Sequence, residues 1–356
     1  MIFLPYTSRK RVATSVLIVA DNRDWAEWFG RRDESYFDIC NYRFTTTHEY
    51  LRNAHSLSDE FEHLLFYREN LATQEGRSAL YLATRACKGN VGFVDNYDDP
   101  VILRCANDPR IIYFKLDIRL GFAHSVLRAE YIYSMLHEFR MGYHSPLTPM
   151  EAYKAIGAGR IRQFQLSINN RLPLEVINQC LLSQTKRIPV SMIATVTPSA
   201  SWTQYLTKAG YIKNRLSIAR VIRTIPGSFV RVGRGGSRGE TSSPLTPTTY
   251  AMVTSSSLLG VAPLGVGHAQ TYRYFEIAAL KTVPLAPATM TMMHDEFVDR
   301  EEILVYSGAQ DVKRLIEQTI SDEKLCRRLA NAAYLKFQTL HTPRRRVAQL
   351  IESLTK

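Results

Sequence analysis

Cysteine is scarce and unpatterned in this chain of 356 residues. Cys40, Cys87, Cys105, Cys180 and Cys326 are odd in number and nowhere stand at C-x-x-C spacing. That excludes a disulfide scaffold and a cysteine zinc site. The nine histidines are as dispersed, with no H-x-x-x-H pair, so no metal site is expected. Long apolar runs are also lacking: none approaches the ~18 residues of a membrane-spanning helix. The longest early run, Val12 to Ala20, contains Thr14 and Ser15 and reads as a buried strand. Arg9, Lys10 and Arg11 precede it, but Asp21, Arg23 and Asp24 follow with no small-residue cleavage site. The expectation is a cytoplasmic protein with no transmembrane segment. No internal repeat of roughly 20–50 residues is visible.

What the chain has is length, balance and positive charge. Apolar residues make up 45% and charged residues 22%, the composition of a globular protein long enough for two α/β domains. Lys and Arg number 45 against 33 Asp and Glu, a net charge of +12. Such an excess favours anionic partners, whether nucleotide phosphates, nucleic acid or an acidic surface.

The N-terminal half alternates β-rich and helical runs. Strands are expected at Ser15 to Ala20, Leu64 to Tyr67, Asn90 to Val94 and Arg110 to Phe114, with helices beginning at Asp24 and spanning Gln74 to Cys87. Residues 145–185 are less regular. A second alternation follows, with strands at Pro189 to Val196, Ser228 to Val232, Leu258 to Pro263, Val283 to Ala286 and Ile303 to Tyr306. Helices are expected at Ser199 to Lys208, Lys213 to Thr224, Thr271 to Leu280 and in three runs after Asp311. The fold class is α/β, two Rossmann-like domains with a cleft between them as the default ligand site. Their expected bounds are 1–185 and 186–343, with 344–356 as a closing helix. Strand carboxyl ends are where open parallel sheets bind ligands, which singles out the acidic turn with Asp95, Asp98 and Asp99, and Asp117.

Between the strands, Arg231 to Gly239 is rich in glycine and arginine. It lacks the Gly-Lys-Ser/Thr ending of a Walker loop and the x-x-G tail of a dinucleotide fingerprint, and reads as a solvated loop. Thr271 to Leu280 is more informative. Arg273 and Glu276 are three apart, on one helix face near its N-terminus. A helix N-terminus with an arginine suits a diphosphate, and a carboxylate beside it can accept from two ribose hydroxyls. On spacing alone the simpler reading is a surface ion pair worth about 0.5 kcal/mol.

The run Thr271-Tyr-Arg-Tyr-Phe-Glu-Ile-Ala-Ala-Leu280, followed by Lys281-Thr-Val-Pro284, resembles the donor-binding motif T/S-x-R-x-[FW]-E-x-[AM]-A-x-x-x-x-P of GT-B glycosyltransferases, most closely their exostosin-like and family-1-like branches. The likeness covers roughly the last hundred residues. It implies two Rossmann-like domains, the first binding the acceptor, the second a nucleotide sugar, with the last helix packing back towards the first. It implies that Glu276 binds the donor ribose and Arg273 the phosphates, with Thr271 at the same helix start. Many retaining members carry a second Glu eight positions earlier, where this chain has His268, so retention is not implied. Basic residues after the first strand of the second domain often face the donor diphosphate. Lys213 and Arg215 stand there, Arg215 preferred because a guanidinium meets phosphate bidentately, and Ser199 is a hydroxyl donor from the loop above.

Ile112 to Phe122 also resembles a strand and loop of the T-even phage DNA β-glucosyltransferases, which implies that Asp117 is the general base. On the residues alone, Asp117 equally pairs with Arg119 or caps a helix. Together these readings describe a metal-independent, inverting glycosyltransferase. It needs no cofactor beyond a nucleotide sugar as co-substrate, with a UDP-sugar favoured. The acceptor is a glycan or other hydroxyl compound. DNA with hydroxymethylated bases is one alternative, and a non-catalytic basic nucleic-acid-binding protein is another.

Overall fold

The computed structural model describes residues 14–21, 29, 35–95, 102–115, 146–158, 161–163, 167–168, 171–196, 202–234, 245–264, 271–288 and 295–356. The chain separates into two compact units. One is built from Leu4–Gln165 and Pro343–Lys356, the other from Leu166–Thr291 and Asp295–Thr342. The break therefore falls before residue 185. Helix α4 (Leu174–Leu182) packs on α6 (Pro247–Ser255) of the second unit, and Gln184 just beyond α4 donates to the Ser255 carbonyl at 3.2 Å.

In the first unit, β1 (Ser15–Val19), β2 (Asn41–Thr45), β3 (His63–Tyr67), β4 (Val91–Asp95), β5 (Ile111–Lys115) and β6 (Ile161–Gln163) form one sheet in the order β2-β1-β3-β4-β5-β6. Every pairing is parallel. β3 and β4 are buried along their whole length, which is why they read as continuous apolar runs instead of alternating ones. Helices α1 (Thr47–Glu60) and α2 (Gln74–Ala86) start at Thr46 and Thr73, whose side chains accept from the amides of Glu49 and Gly76. α3 (Pro149–Gly157) starts at Thr148 with a capping box to Glu151. The last helix, α10 (Pro343–Thr355), closes this sheet. Asn90 donates to the Leu354 carbonyl at 2.7 Å, Arg162 donates to the carbonyl of Ser353, and Gly92 leaves the room that Leu354 occupies.

The second unit repeats the plan. β7 (Ile188–Val196), β8 (Phe229–Arg234), β9 (Ser257–Val261), β10 (Val283–Pro287) and β11 (Leu304–Tyr306) run in the order β11-β10-β9-β7-β8, again all parallel. Both sheets thus reverse direction of winding beside their first strand, and ligands of open α/β sheets bind at the strand carboxyl ends at such a switch point. α5 (Trp202–Arg223) is one helix where the sequence suggested two. α8 (Ala309–Ile320) and α9 (Glu323–Lys336) follow β11. No helix among the described residues is long and apolar enough to cross a membrane.

The short helix α7 (Tyr272–Ala279) lies against β9 at Gly260, where a Cβ would come within 2.9 Å of Ile277. Its C-terminal turn is held from the segment leading into β7. Gln184 donates to the Leu280 carbonyl at 2.9 Å, and the Lys186 ammonium to the Lys281 carbonyl and the Thr282 hydroxyl at 2.9 and 2.8 Å. Burial, then the nearby Lys281 charge, brings the Lys186 amine down to about 7, with Cys326 acting weakly the other way. A lysine lowered from its unfolded value leaves the folded chain binding fewer protons in the window between. Stability must then rise with pH from about 7 towards the ordinary lysine range, and the cost of the buried charge is full below that window. Replacing Lys186 by Met removes the titration. Urea unfolding from pH 6 to 9.5 should show the Met variant at its best relative to the native protein at low pH, losing ground steadily as pH rises. A difference constant with pH would mean that the amine keeps its ordinary affinity for protons.

Candidate functional site

The N-terminus of α7 brings several polar side chains together. Thr271 stands at the N-cap with an extended backbone, yet its side chain caps no amide. It donates instead to the Pro263 carbonyl at 3.3 Å, tying the helix start to the segment that leaves β9. Thr271 therefore supplies no side-chain cap to the first-turn N–H groups, and a helix start of this kind favours an anion. Arg273 and Glu276 follow within that turn and the next. Glu276 is 6% exposed, which rules out the solvated surface ion pair that spacing alone suggested. The Nε of Arg273 is buried without a hydrogen-bond partner.

Tyr250 of α6 completes this cluster. The Arg273 guanidinium lies 5.9 Å from the centre of its ring. Its hydroxyl is buried without a hydrogen-bond partner; burial first, and the Glu276 charge next, hold it well above the ordinary tyrosine range, with Arg273 opposing. Tyr250 is thus protonated at any working pH. Motif reasoning missed it, since a tyrosine on a separate helix carries no spacing signal.

Below the cluster, Tyr274 and Phe275 anchor α7 in an aromatic group. Phe297 stacks on His341 at 4.7 Å and meets Tyr274 edge-on at 5.1 Å, and Phe275 lies 5.2 Å from His341.

Arg215 and Lys213, two apart on α5, point to different faces. Arg215 is buried, and its guanidinium donates to the Leu264 carbonyl just past β9, through Nε at 3.0 Å and through Nη2. It also lies near the Tyr306 hydroxyl at the end of β11. Lys213 is exposed. Arg215 therefore stands at the carboxyl side of the sheet by the switch strand β9, bracing the segment that Thr271 also grips.

In the first unit, Asp95 ends β4 and is fully buried. One carboxylate oxygen accepts from Arg68 and from Lys115, each at 2.9 Å, and the other accepts from the Tyr113 hydroxyl. All three partners are buried as well. Tyr113 is held well above its usual range, by burial and then by Asp95. Asp95 is locked among strand ends and directed at no solvent. Of the other residues the sequence singled out, Asp98, Asp99, Asp117, Arg119, Ser199 and His268 lie outside the described residues.

Residues 217–352 match the model of a family described as glycosyl transferase-like. No curated protein matches the chain. Among solved structures, the chain is similar to sucrose-phosphate synthase from Thermosynechococcus elongatus at 11% identity, over 96% of this chain and 99% of that one, with a TM-score of 0.50. It is also similar to HepE of Anabaena, solved with UDP and glucose (11% identity, 96% and 100% covered, TM-score 0.47). A third is an alpha-glucosyltransferase solved with UDP and a 13-mer DNA containing an HMU base (11%, 96% and 99%, 0.49). The two parallel sheets and the first of these likenesses establish the GT-B fold class.

The Asp95 cluster makes a prediction independent of ligand. Asp95→Asn leaves Arg68 and Lys115 as buried charges without their shared carboxylate, and breaking a buried pair in this way costs about 3–5 kcal/mol. Tyr113→Phe, which removes a donor to Asp95 and the acceptor of the Leu103 amide, should cost about 1–3 kcal/mol. Denaturant unfolding of both variants measures this. An Asp95→Asn loss no larger than that of Tyr113→Phe would show that the cluster does not depend on the carboxylate charge.

Proposed function

We propose that this chain, a glycosyltransferase of GT-B fold, moves a sugar from a UDP-sugar to a hydroxyl acceptor of glycan type, without a metal and with inversion. The observation that carries the donor half is the buried Glu276 beside Arg273 at the uncapped N-terminus of α7. A carboxylate 6% exposed accepts hydrogen bonds strongly because little water competes, and the two hydroxyls of a ribose supply them. The partnerless Arg273 Nε and the first-turn amides suit a diphosphate, whose charge grows as the sugar departs. Arg215 adds positive charge at the strand ends. Helix dipole and arginines thus supply the neutralisation for which other enzymes of this chemistry use a metal.

The acceptor half rests on the likeness around Ile112 to Phe122. On that reading Asp117 takes the proton from the acceptor hydroxyl as it attacks the anomeric carbon, opposite the departing UDP. A single in-line displacement inverts the anomeric centre. The same proposal places the enzyme in the cytoplasm.

The reading is tested in two steps. Glu276→Ala should weaken UDP binding about 10–100-fold, the worth of charge-assisted hydrogen bonds, while Arg273→Ala should weaken UDP more than uridine. Titration calorimetry showing unchanged affinities in folded variants would remove α7 from the donor site. Asp117→Asn should hold donor affinity within about twofold and lower single-turnover transfer by ~10²–10⁴. Near-normal turnover would end the general-base role. Offering glycans and hydroxymethylated DNA side by side decides the acceptor class, and transfer to DNA alone would overturn the glycan reading.

A further inference from the structure

We propose that Gln184 is a positioning residue of the donor site: it fixes the strained turn at Lys281, and through that turn the rotation of α7 that aims Glu276 and Arg273. The inference rests on the donor-site reading above and adds to it a residue at the opposite end of the helix.

α7 ends in a turn that a lysine adopts reluctantly. The Thr282 amide donates to the Ile277 carbonyl at 3.2 Å and the Lys281 amide to the Ala278 carbonyl at 3.0 Å, the paired bonds of a Schellman turn. That turn needs a left-handed residue at Lys281, whose φ is 52°. Glycine takes this conformation freely, whereas the Cβ of a lysine crowds the carbonyl that follows. A residue held there persists only where its surroundings over-determine it, and here they do. The Lys281 carbonyl accepts from Gln184 at 3.3 Å and from the Lys186 ammonium at 2.9 Å, both on the segment between α4 and β7. The Lys281 ammonium lies 5.9 Å from the ring centre of Tyr334 on α9. Thr282, the next residue, accepts from Lys186 at 2.8 Å and donates to the Thr254 carbonyl of α6, also at 2.8 Å.

Gln184 is the member of this set that reaches the helix itself. Its amide donates to the Leu280 carbonyl at 2.9 Å and to the Ser255 carbonyl at the end of α6 at 3.2 Å. Leu280 in turn donates from its own amide to the Glu276 carbonyl at 3.0 Å, so one residue stands between the Gln184 side chain and the backbone of Glu276. At the other end, Thr271 ties the start of α7 to the Pro263 carbonyl at 3.3 Å. A helix of eight residues pinned at its start would still turn about its axis. A side-chain tip stands about 5–6 Å from that axis, so a rotation of roughly 10° displaces it by about 1 Å, enough to take a hydrogen bond out of range. Gln184 removes that freedom by tying the last turn of α7 to the end of α6.

Gln184→Met keeps the length of the side chain and removes the donor. In the folded protein it should raise the UDP dissociation constant about tenfold, and weaken uridine too, because Glu276 turns with the helix. Titration calorimetry separates site from fold, since stoichiometry reports the folded fraction and the dissociation constant reports the site. A merely structural role would lower the urea midpoint and leave UDP affinity within about twofold of native, and that result overturns the inference. Coupling gives a second readout. In a Glu276→Ala background, Gln184→Met should weaken UDP less than it does alone, because the share carried by Glu276 is already gone; an equal loss in both backgrounds overturns the inference. Should Gln184→Met not fold, Gln184→Asn keeps the amide, withdraws it by one methylene and gives the same comparison. Lys281→Gly, which keeps the carbonyl and relaxes the turn, should restore the urea midpoint of either variant but not its UDP affinity. Recovery of both would mean that Gln184 serves stability alone. If Glu276→Ala is itself without effect, the donor-site reading fails first and this inference with it. If Glu276→Ala weakens UDP and the Gln184 variants do not, the donor site stands and Gln184 is packing alone.

Discussion

Strands buried on both faces leave polar side chains almost nowhere to stand except at the strand ends, and both sheets of this protein are built under that constraint. All nine pairings described are parallel, which requires helices on the faces and removes water from them. The polar groups follow accordingly. Asp95 and Lys115 are the last residues of β4 and β5. Arg215 reaches the segment just past β9, and Thr271 grips the same segment from the start of α7. Chemistry collects at carboxyl ends because the covered faces cannot hold it.

The two units treat buried charge in opposite ways. Around Asp95, two cations and a phenol converge on one carboxylate, so its acceptor capacity is directed inward and the strand ends are cross-braced. Such a cluster resists change and offers little to a ligand. At α7 the Thr271 side chain caps no amide, and the Arg273 Nε is buried with no partner.

The sequence was most legible where burial is complete. β3, β4, β9 and β10 announced themselves as apolar runs. β2 and α1 did not: β2 is an edge strand whose Arg43 pairs at the surface with Glu60, and α1 is rich in polar residues, with only a narrow buried stripe. The break expected near Lys208 to Lys213 reflects Gly210, whose penalty of about 1 kcal/mol within a helix is overridden in the long α5. For the candidate site, Arg273, Glu276 and Arg215 were singled out by the resemblance of the segments around them, since spacing alone favoured a surface ion pair. Tyr250, Gln184 and Lys186 were not, since each acts across a contact that only the tertiary fold creates. Asp95 was visible as an acid at a strand end, but its three partners were needed to show that it is spent on bracing.

The segment from Thr271 to Pro284 can now be read as packing rather than as a string of letters. Thr271 fixes the helix start to Pro263. Phe275 fills the aromatic floor, and Ala278 and Ala279, both 0% exposed, are small enough to let the helix settle. Gly260 on β9 removes the Cβ that would push Ile277, and α7 with it, away from the sheet. Pro284 falls where β10 pairs with β9 but before its pairing with β11 begins at Leu285, so its missing N–H removes no bond on that side. These contacts fix α7 against the sheet and its aromatic floor. A helix too short to hold its own shape can present a carboxylate and a guanidinium reproducibly only because its floor, its start and its C-terminal turn are each fixed by another element. Close packing of that kind shifts as a unit or not at all, so displacing α7 by a few tenths of an ångström would misplace both groups together.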